Sequence, residues 1–201
     1  MDENNKLESY WTDRYHQGST GWDIGYASTP LVTYFDQIQN KNLRILIPGA
    51  GNAYEAEYLH KAGFTGVEVL DISTYPLMQL QERCPGFPSS HLHQADFFEF
   101  EGTYDLIIEQ TFFCSFDPTS ENRINYAKQM NHLLADGGKL VGLWFDIPLT
   151  PTSKRPFGGT REAYINYLSP YFNVDVLERC YNSIKPREGN ELFGIFTKKD
   201  V

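Results

Sequence analysis

Cysteine is scarce in this chain: three in 201 residues, Cys84, Cys114 and Cys180, odd in number and far apart. That pattern excludes a disulfide framework and a cysteine metal site, and it predicts free thiols in a reducing cytoplasm. The five histidines fall at no ligand spacing, so His60, His91, His93 and His132 read as structural or surface residues, and no metal is expected. Positive charge is also short, with 17 Lys and Arg against 26 Asp and Glu, a net charge of −9. A field of that sign repels phosphate backbones and anionic bilayers, so neither nucleic acid nor membrane is an expected partner. No apolar stretch approaches a membrane span, and Met1–Lys6 lacks the basic start and apolar run of a signal peptide. Repeats and low-complexity segments are absent too. A cytoplasmic protein is expected, monomeric rather than oligomeric, with a small molecule as its partner.

What remains is ordinary globular material: 41% hydrophobic and 21% charged residues, with aromatics high at 15%. The length suits one core, and residues 1–201 are expected to form a single domain. A helix over Leu7–Gln17, carrying Trp11 and Tyr15, is followed by one opening at Thr29-Pro30. From residue 44 a regular alternation sets in, with strands expected at 44–48, 66–71, about 90–94, 104–109 and 139–145. Helices are expected near 53–62 and 74–83, and another after Asp117-Pro118, capped there and stopped by Gly137-Gly138. Strands apolar on both faces and separated by helices imply a parallel sheet covered on both sides. Residues 146–160, with three prolines and two glycines, read as a structured, functional loop. A helix near 160–168 then precedes two extended runs, 172–182 and 191–197, that read as a terminal hairpin.

The most telling stretch is Arg44-Ile45-Leu46-Ile47-Pro48-Gly49-Ala50-Gly51, with Asp71 twenty residues past Gly51. A buried strand running into a glycine turn and a helix, with an acid at the end of the next strand, seizes a nucleoside-bearing cofactor. Asp71 then accepts the ribose hydroxyls. A dinucleotide turn wants a third glycine, and Tyr54 stands there instead. S-adenosylmethionine, which carries a sulfonium and an amino acid where NAD carries its pyrophosphate, suits the looser turn. Asp96 and Phe97 follow the third strand, where an acid bonds the adenine amine and a ring covers its face.

The chain resembles class I S-adenosylmethionine-dependent methyltransferases, and within them the thiopurine S-methyltransferase family with its thiol and halide methyltransferase relatives. The likeness is carried by Trp11-x-x-x-Tyr15 with Gly21-Trp22-Asp23, Ile47-Pro48-Gly49-Ala50-Gly51, Val69-Leu70-Asp71-Ile72-Ser73, Ala95-Asp96-Phe97-Phe98, Glu109-Gln110-Thr111-Phe112-Phe113-Cys114, Leu134-x-x-Gly137-Gly138 and Arg187-x-Gly189-x-Glu191. It implies a three-layer α/β Rossmann-like fold with a seven-stranded, mainly parallel sheet ending in an antiparallel hairpin. It further implies a helical cap over residues 1–40, whose Trp11, Tyr15 and Trp22 fold over the cofactor. Cofactor contacts are implied at Gly49, Gly51, Asp71, Ile72, Asp96, Phe97 and Gln110. Relatives carry Tyr or Arg where Gln110 stands, so a proton-transfer role at that position does not carry over.

Methyl transfer is an in-line displacement, and holding the partners at near-attack distance, roughly 3–3.5 Å, in a dry site supplies most of its acceleration. A thiolate or halide arrives already anionic and needs no strong base, which fits motifs that display none. Gln110 and Arg187 are the positioning candidates, and Arg187 and Lys154 the cations that would attract an anionic acceptor. Other readings stand beside these. Trp11, Tyr15 and Trp22 would equally pack a helix onto the core, Asp71 could instead cap a strand end although its spacing from Gly51 favours the ribose role, and Arg187 in a hairpin loop is commonly a solvated charge. Phe112 and Phe113 read as core or pocket wall, and Cys114 as a buried small side chain. The rival functions are an NAD(P)-dependent Rossmann oxidoreductase, which lacks its third glycine here, and a non-catalytic cofactor-binding module.

Overall fold

The computed structural model describes residues 3–199. Seven strands form one sheet: β1 (Arg44–Pro48), β2 (Gly66–Asp71), β3 (Leu92–Gln94), β4 (Tyr104–Gln110), β5 (Leu134–Phe145), β6 (Phe172–Arg179) and β7 (Glu191–Lys198). Their order is β3-β2-β1-β4-β5-β7-β6, parallel throughout except β7, which runs antiparallel to both neighbours. The sheet and its terminal hairpin are those expected from the sequence.

Six helices cover it: α1 (Glu3–His16), α2 (Thr29–Phe35), α3 (Tyr54–Lys61), α4 (Thr74–Arg83), α5 (Ser120–Leu133) and α6 (Arg161–Leu168). On one face Leu31 and Phe35 of α2, Ala56 and Leu59 of α3 and Leu77 and Leu80 of α4 pack on Ile45, Ile47, Val67 and Val69. On the other face Tyr126, Met130 and Leu133 of α5 and Tyr164 and Leu168 of α6 pack on Leu46, Leu70, Ile107 and Leu140. Alternate residues of β1 and β2 thus feed opposite cores, because successive strand side chains point to opposite faces. Their unbroken apolar runs follow from that.

Two local readings are corrected. The helix after Asp117-Pro118 is capped by Thr119, whose hydroxyl accepts from Asn122 N at 3.1 Å, while Asp117 instead binds Arg155. Gly137-Gly138 does not end that helix. Helix α5 stops at Leu133, and β5 begins at Leu134, pairing with Tyr104 before its register to β4 shifts. The β-branched and large apolar residues from Leu140 onward only pair in the second register, and the glycines absorb the irregularity.

Candidate functional site

The sheet order reverses at β1, where β2 lies on one side and β4 on the other, and a crevice opens beyond the carboxyl ends of β1 and β4 as that reversal requires. This open cleft is lined by the glycine turn 49–53, by Tyr54 and Glu55 of α3, by Trp22, Asp23, Ile24 and Tyr26, and by Gln110 and Thr111. Gly49 and Gly51 sit at φ 56° and 53°, left-handed backbone that a side chain resists. At Gly49 a Cβ would overlap the Phe112 ring. Ala53, also left-handed, precedes α3, whose N-terminus faces the cleft with no side-chain cap. Its free amide groups and dipole favour a carboxylate there.

Asp71 ends β2 beside this turn and is 7% exposed. One carboxylate oxygen accepts from Gly51 N at 3.0 Å and the other from Ser73 N at 2.9 Å, with the Ile72 N–H also turned toward the group, and part of its acceptor capacity remains for a ligand. Burial pushes its carboxyl up to about 6, against the pull of those N–H groups. Ile72 is half-buried, and its carbonyl accepts from Gln94 Nε2 at 3.4 Å.

The N-terminal segment closes over this end of the cleft. Tyr15 is buried, stacks on Tyr75 at 5.5 Å and meets Trp22 edge-on at 5.7 Å, and Trp22 in turn meets Trp11 at 5.5 Å. Burial, with Asp71 nearby, pushes the Tyr15 hydroxyl far above the phenol range, so it stays a neutral donor. Several polar ties fasten the segment, among them Thr12 Oγ1 to Ser73 Oγ at 2.7 Å, Asn52 Nδ2 donating to Asp23 at 2.5 Å, and Arg187 Nη2 donating to the Trp22 carbonyl at 2.8 Å. Arg187 is therefore not a solvated hairpin charge. It is 7% exposed and pairs with the buried Glu191 at 3.3 Å. Lys154 is exposed on the 146–160 loop and does not line the cleft.

Among the sequence candidates, the cleft wall gathers Trp22, Gly49, Gly51 and Gln110. Tyr15, Trp11 and Asp71 stand next to it. Asp96 caps a short turn through Phe98 N at 2.8 Å, and Phe97 turns inward against Phe112 at 5.1 Å and Tyr126 at 5.9 Å. Neither Asp96 nor Phe97 is on the cleft wall. Gln110 Oε1 is buried there with no hydrogen-bond partner. Cleft chemistry is thus acceptor-rich: two carboxylates, Asp23 and Glu55, an orphaned amide oxygen, and no Lys or Arg on the wall. Glu55 accepts from Ser28 N at 2.8 Å, and burial raises its carboxyl against that bond. Such a wall fits a ligand bearing positive charge, with an aromatic lid suited to a sulfonium. S-adenosylmethionine has that make-up: a sulfonium and an ammonium beside one carboxylate.

Two groups escaped the sequence reading. Glu109, with no exposed surface, sits behind Gln110 and takes three hydrogen bonds from the turn and from α5. Arg123, 2% exposed, donates to the carbonyls of Phe113 at 2.6 Å and Phe157 at 3.2 Å, tying the 146–160 loop to that turn. The signal for both was a charged residue interrupting an apolar face. Cys114 is buried, and burial pushes its thiol up to about 12, which makes it an inert side chain.

The thiopurine S-methyltransferase family profile matches residues 7–200. A probable thiol methyltransferase 2 of Arabidopsis thaliana is 29% identical over 198 residues, covering 95% of this chain and 85% of that protein. Thiocyanate methyltransferase 1 of Brassica oleracea is 30% identical over 199 residues with the same coverage, 95% and 85%. Among solved structures, a Burkholderia thailandensis 1,6-didemethyltoxoflavin-N1-methyltransferase with bound S-adenosylhomocysteine superposes with a TM-score of 0.74 at 16% identity, over 96% of this chain and 88% of that one. The magnesium protoporphyrin IX methyltransferase of Synechocystis with bound S-adenosylmethionine gives 0.73 at 14% identity, over 99% and 98%. These two likenesses establish the fold. The chain belongs to the thiopurine S-methyltransferase family and is an S-adenosylmethionine-dependent methyltransferase.

Proposed function

We propose that the cleft between β1 and β4 holds S-adenosylmethionine and that the acceptor is a small soft nucleophile, a thiol first, with halides and thiopurine-like heterocycles as the alternatives. The observation that carries the reading is the acceptor-rich wall built on a glycine turn beside a buried carboxylate. Asp71 takes the ribose hydroxyls with its remaining acceptor capacity, the turn 49–51 and the uncapped start of α3 take the amino-acid end, and Gln110 Oε1 accepts from its ammonium. Trp11, Tyr15 and Trp22 shut water out from above. Asp96 and Phe97 reach the adenine side only through the face of their turn, and Ile72 supplies apolar contact beside Asp71. The bound cofactor supplies a methyl group on a sulfonium, a leaving group strong enough that the protein need only orient the acceptor and keep the site dry.

The two carboxylates of the cleft wall are already engaged, Asp23 by Asn52 and Gly25 N and Glu55 by Ser28 N, and a thiolate or halide needs no base, so the acceptor enters as the anion. The names of the plant relatives, one a thiol and one a thiocyanate methyltransferase, support that class. The described residues work as one domain, in which the segment up to residue 40 forms the cap and 146–160 the acceptor-side loop, and Arg187 positions the cap through the Trp22 carbonyl. The buried free thiols and net charge of −9 suit a cytoplasmic monomer that takes neither nucleic acid nor membrane.

The test is transfer of an isotopically labelled methyl group from S-adenosylmethionine to a panel of hydrosulfide, thiophenol, thiocyanate, iodide and a thiopurine. Turnover is expected on at least one thiol, fastest for those ionised at the assay pH. Turnover on none, with S-adenosylhomocysteine still bound, would point to a non-catalytic cofactor-binding module and overturn the reading.

A further inference from the structure

The floor of the cleft is a turn that the backbone alone would not hold. Thr111 lies at φ 57°, left-handed backbone that a β-branched residue strongly resists, and with Gln110 it forms the β4 side of the cleft. Most backbone polar groups that follow it are held by named partners. Phe112 N and Phe113 N both donate to Glu109 Oε1, at 2.7 and 3.0 Å, and Tyr126 hydroxyl donates to Glu109 Oε2 at 2.5 Å. The Thr111 carbonyl accepts from Cys114 Sγ at 3.1 Å, and the Phe112 carbonyl from Ser115 N at 2.9 Å and Ser115 Oγ at 2.6 Å. Phe113 carbonyl goes to Arg123, Cys114 carbonyl to Phe157 N at 2.8 Å, and Ser115 carbonyl to Arg155 Nε at 2.7 Å.

Glu109 is the only carboxylate among these partners, and it holds the two amides that immediately follow the strained residue. Its neighbour across the sheet is Gly142, where any side chain would overlap it. The same turn seats the Phe112 ring over Gly49, so the two walls of the cleft are fitted to one another at this point.

We infer that Glu109 is a positioning residue for methyl transfer: its carboxylate clamps the amides of Phe112 and Phe113, forces Thr111 into the left-handed conformation, and so presents Gln110 and Thr111 to the reacting centre. It acts as a hydrogen-bond acceptor and not as a base, because it has no exposed surface, is not on the cleft wall, and has chain donors on both of its oxygens. The inference rests on the reading of the cleft as the cofactor site. Its structural half, the clamp on Thr111, can be tested with no ligand present.

The experiment combines three variants with three readouts. In the ligand-free protein, Glu109→Ala is expected to raise amide hydrogen exchange across residues 111–113, and Glu109→Gln, which still accepts from both amides, to leave it close to wild type. With S-adenosylmethionine and a thiol that the wild type turns over, Glu109→Ala is expected to lower kcat at least tenfold, and its affinity for S-adenosylhomocysteine to change less than threefold. Glu109→Gln keeps most of kcat. Adding Thr111→Gly to Glu109→Ala removes the steric resistance to the left-handed turn and is expected to recover a third or more of the lost kcat. Should Glu109→Ala fail to fold, Glu109→Met fills the volume without accepting a hydrogen bond and takes its place. Equal loss of kcat in Glu109→Gln would show that charge or proton transfer matters, and would overturn the inference. So would unchanged exchange at 111–113, or absence of any rescue by Thr111→Gly. A wild type that binds no S-adenosylhomocysteine would fail the functional reading instead, and the exchange arm would still decide whether Glu109 clamps the turn.

Discussion

At the scale of single residues, the site is governed by carboxyl groups placed where water is scarce. Asp71 must be ionised to accept hydroxyl donors through the acceptor capacity its backbone partners leave, and burial sets its titration near 6. Acid therefore weakens the site: between pH 7.5 and 5 the affinity for S-adenosylhomocysteine should fall about tenfold, and Asp71→Asn should flatten that dependence. Calorimetric titration at the two pH values measures both. Stability carries the opposite sign. Folding raises Asp71 from 3.8 to about 6 and Glu109 from 4.5 to about 7, so the folded state binds more protons than the unfolded one between those values. Their contribution favours folding at acid pH and is lost as pH rises through 6 and 7. Thermal melts of Glu109→Gln should accordingly fall less from pH 5 to 8 than those of the wild type. The placement of Asp71 beside the glycine turn was legible in the sequence because its spacing from Gly51 is fixed by one βαβ unit. Glu109 was not, because the reading took Tyr104–Glu109 as an apolar strand, and only the fold shows two amides and a phenol converging on the acid.

At the scale of elements, strand identity was largely legible, since apolar runs at β1, β2, β4 and β5 alternate with helices of clear period. The ends were less so. Asp117-Pro118 and Gly137-Gly138 are both strong boundary signals, yet Thr119 caps α5 and the glycines sit inside β5. Competing capping residues two positions apart cannot be ranked without knowing that Arg155 claims Asp117. The tightest fit between elements lies at the β4–β5 pairing, where Gly142 opposes Glu109 with no room for a Cβ. Gly142→Ala should destabilise the protein by about 1–3 kcal/mol through overpacking, read as a lowered denaturant midpoint, and should also disturb the turn that Glu109 organises.

At the scale of the whole molecule, the first and last parts of the sequence meet over the cleft. Arg187 joins the Trp22 carbonyl to the hairpin carboxylate Glu191, across 165 residues of sequence. A sequence contains no local sign of such a contact, which is why Arg187 also read as a surface charge. Arg187→Met would leave Glu191 buried without its cation, at a cost of about 3–5 kcal/mol, and would release the segment around Trp22. Faster amide exchange over residues 20–26 and a red shift in tryptophan emission are expected, and neither change would appear if the arginine were a solvated charge. The aromatic segment, the glycine turn and Asp71 beneath it thus meet at one cleft, brought together from distant parts of the sequence.

The most direct test of that site is calorimetric titration of S-adenosylhomocysteine into the wild type and into Asp71→Ala at pH 7.5. Loss of the carboxylate leaves the ribose hydroxyls without their acceptor, so micromolar binding in the wild type should weaken by about tenfold or more. Equal affinity in the two proteins would place the cofactor elsewhere and contradict the account.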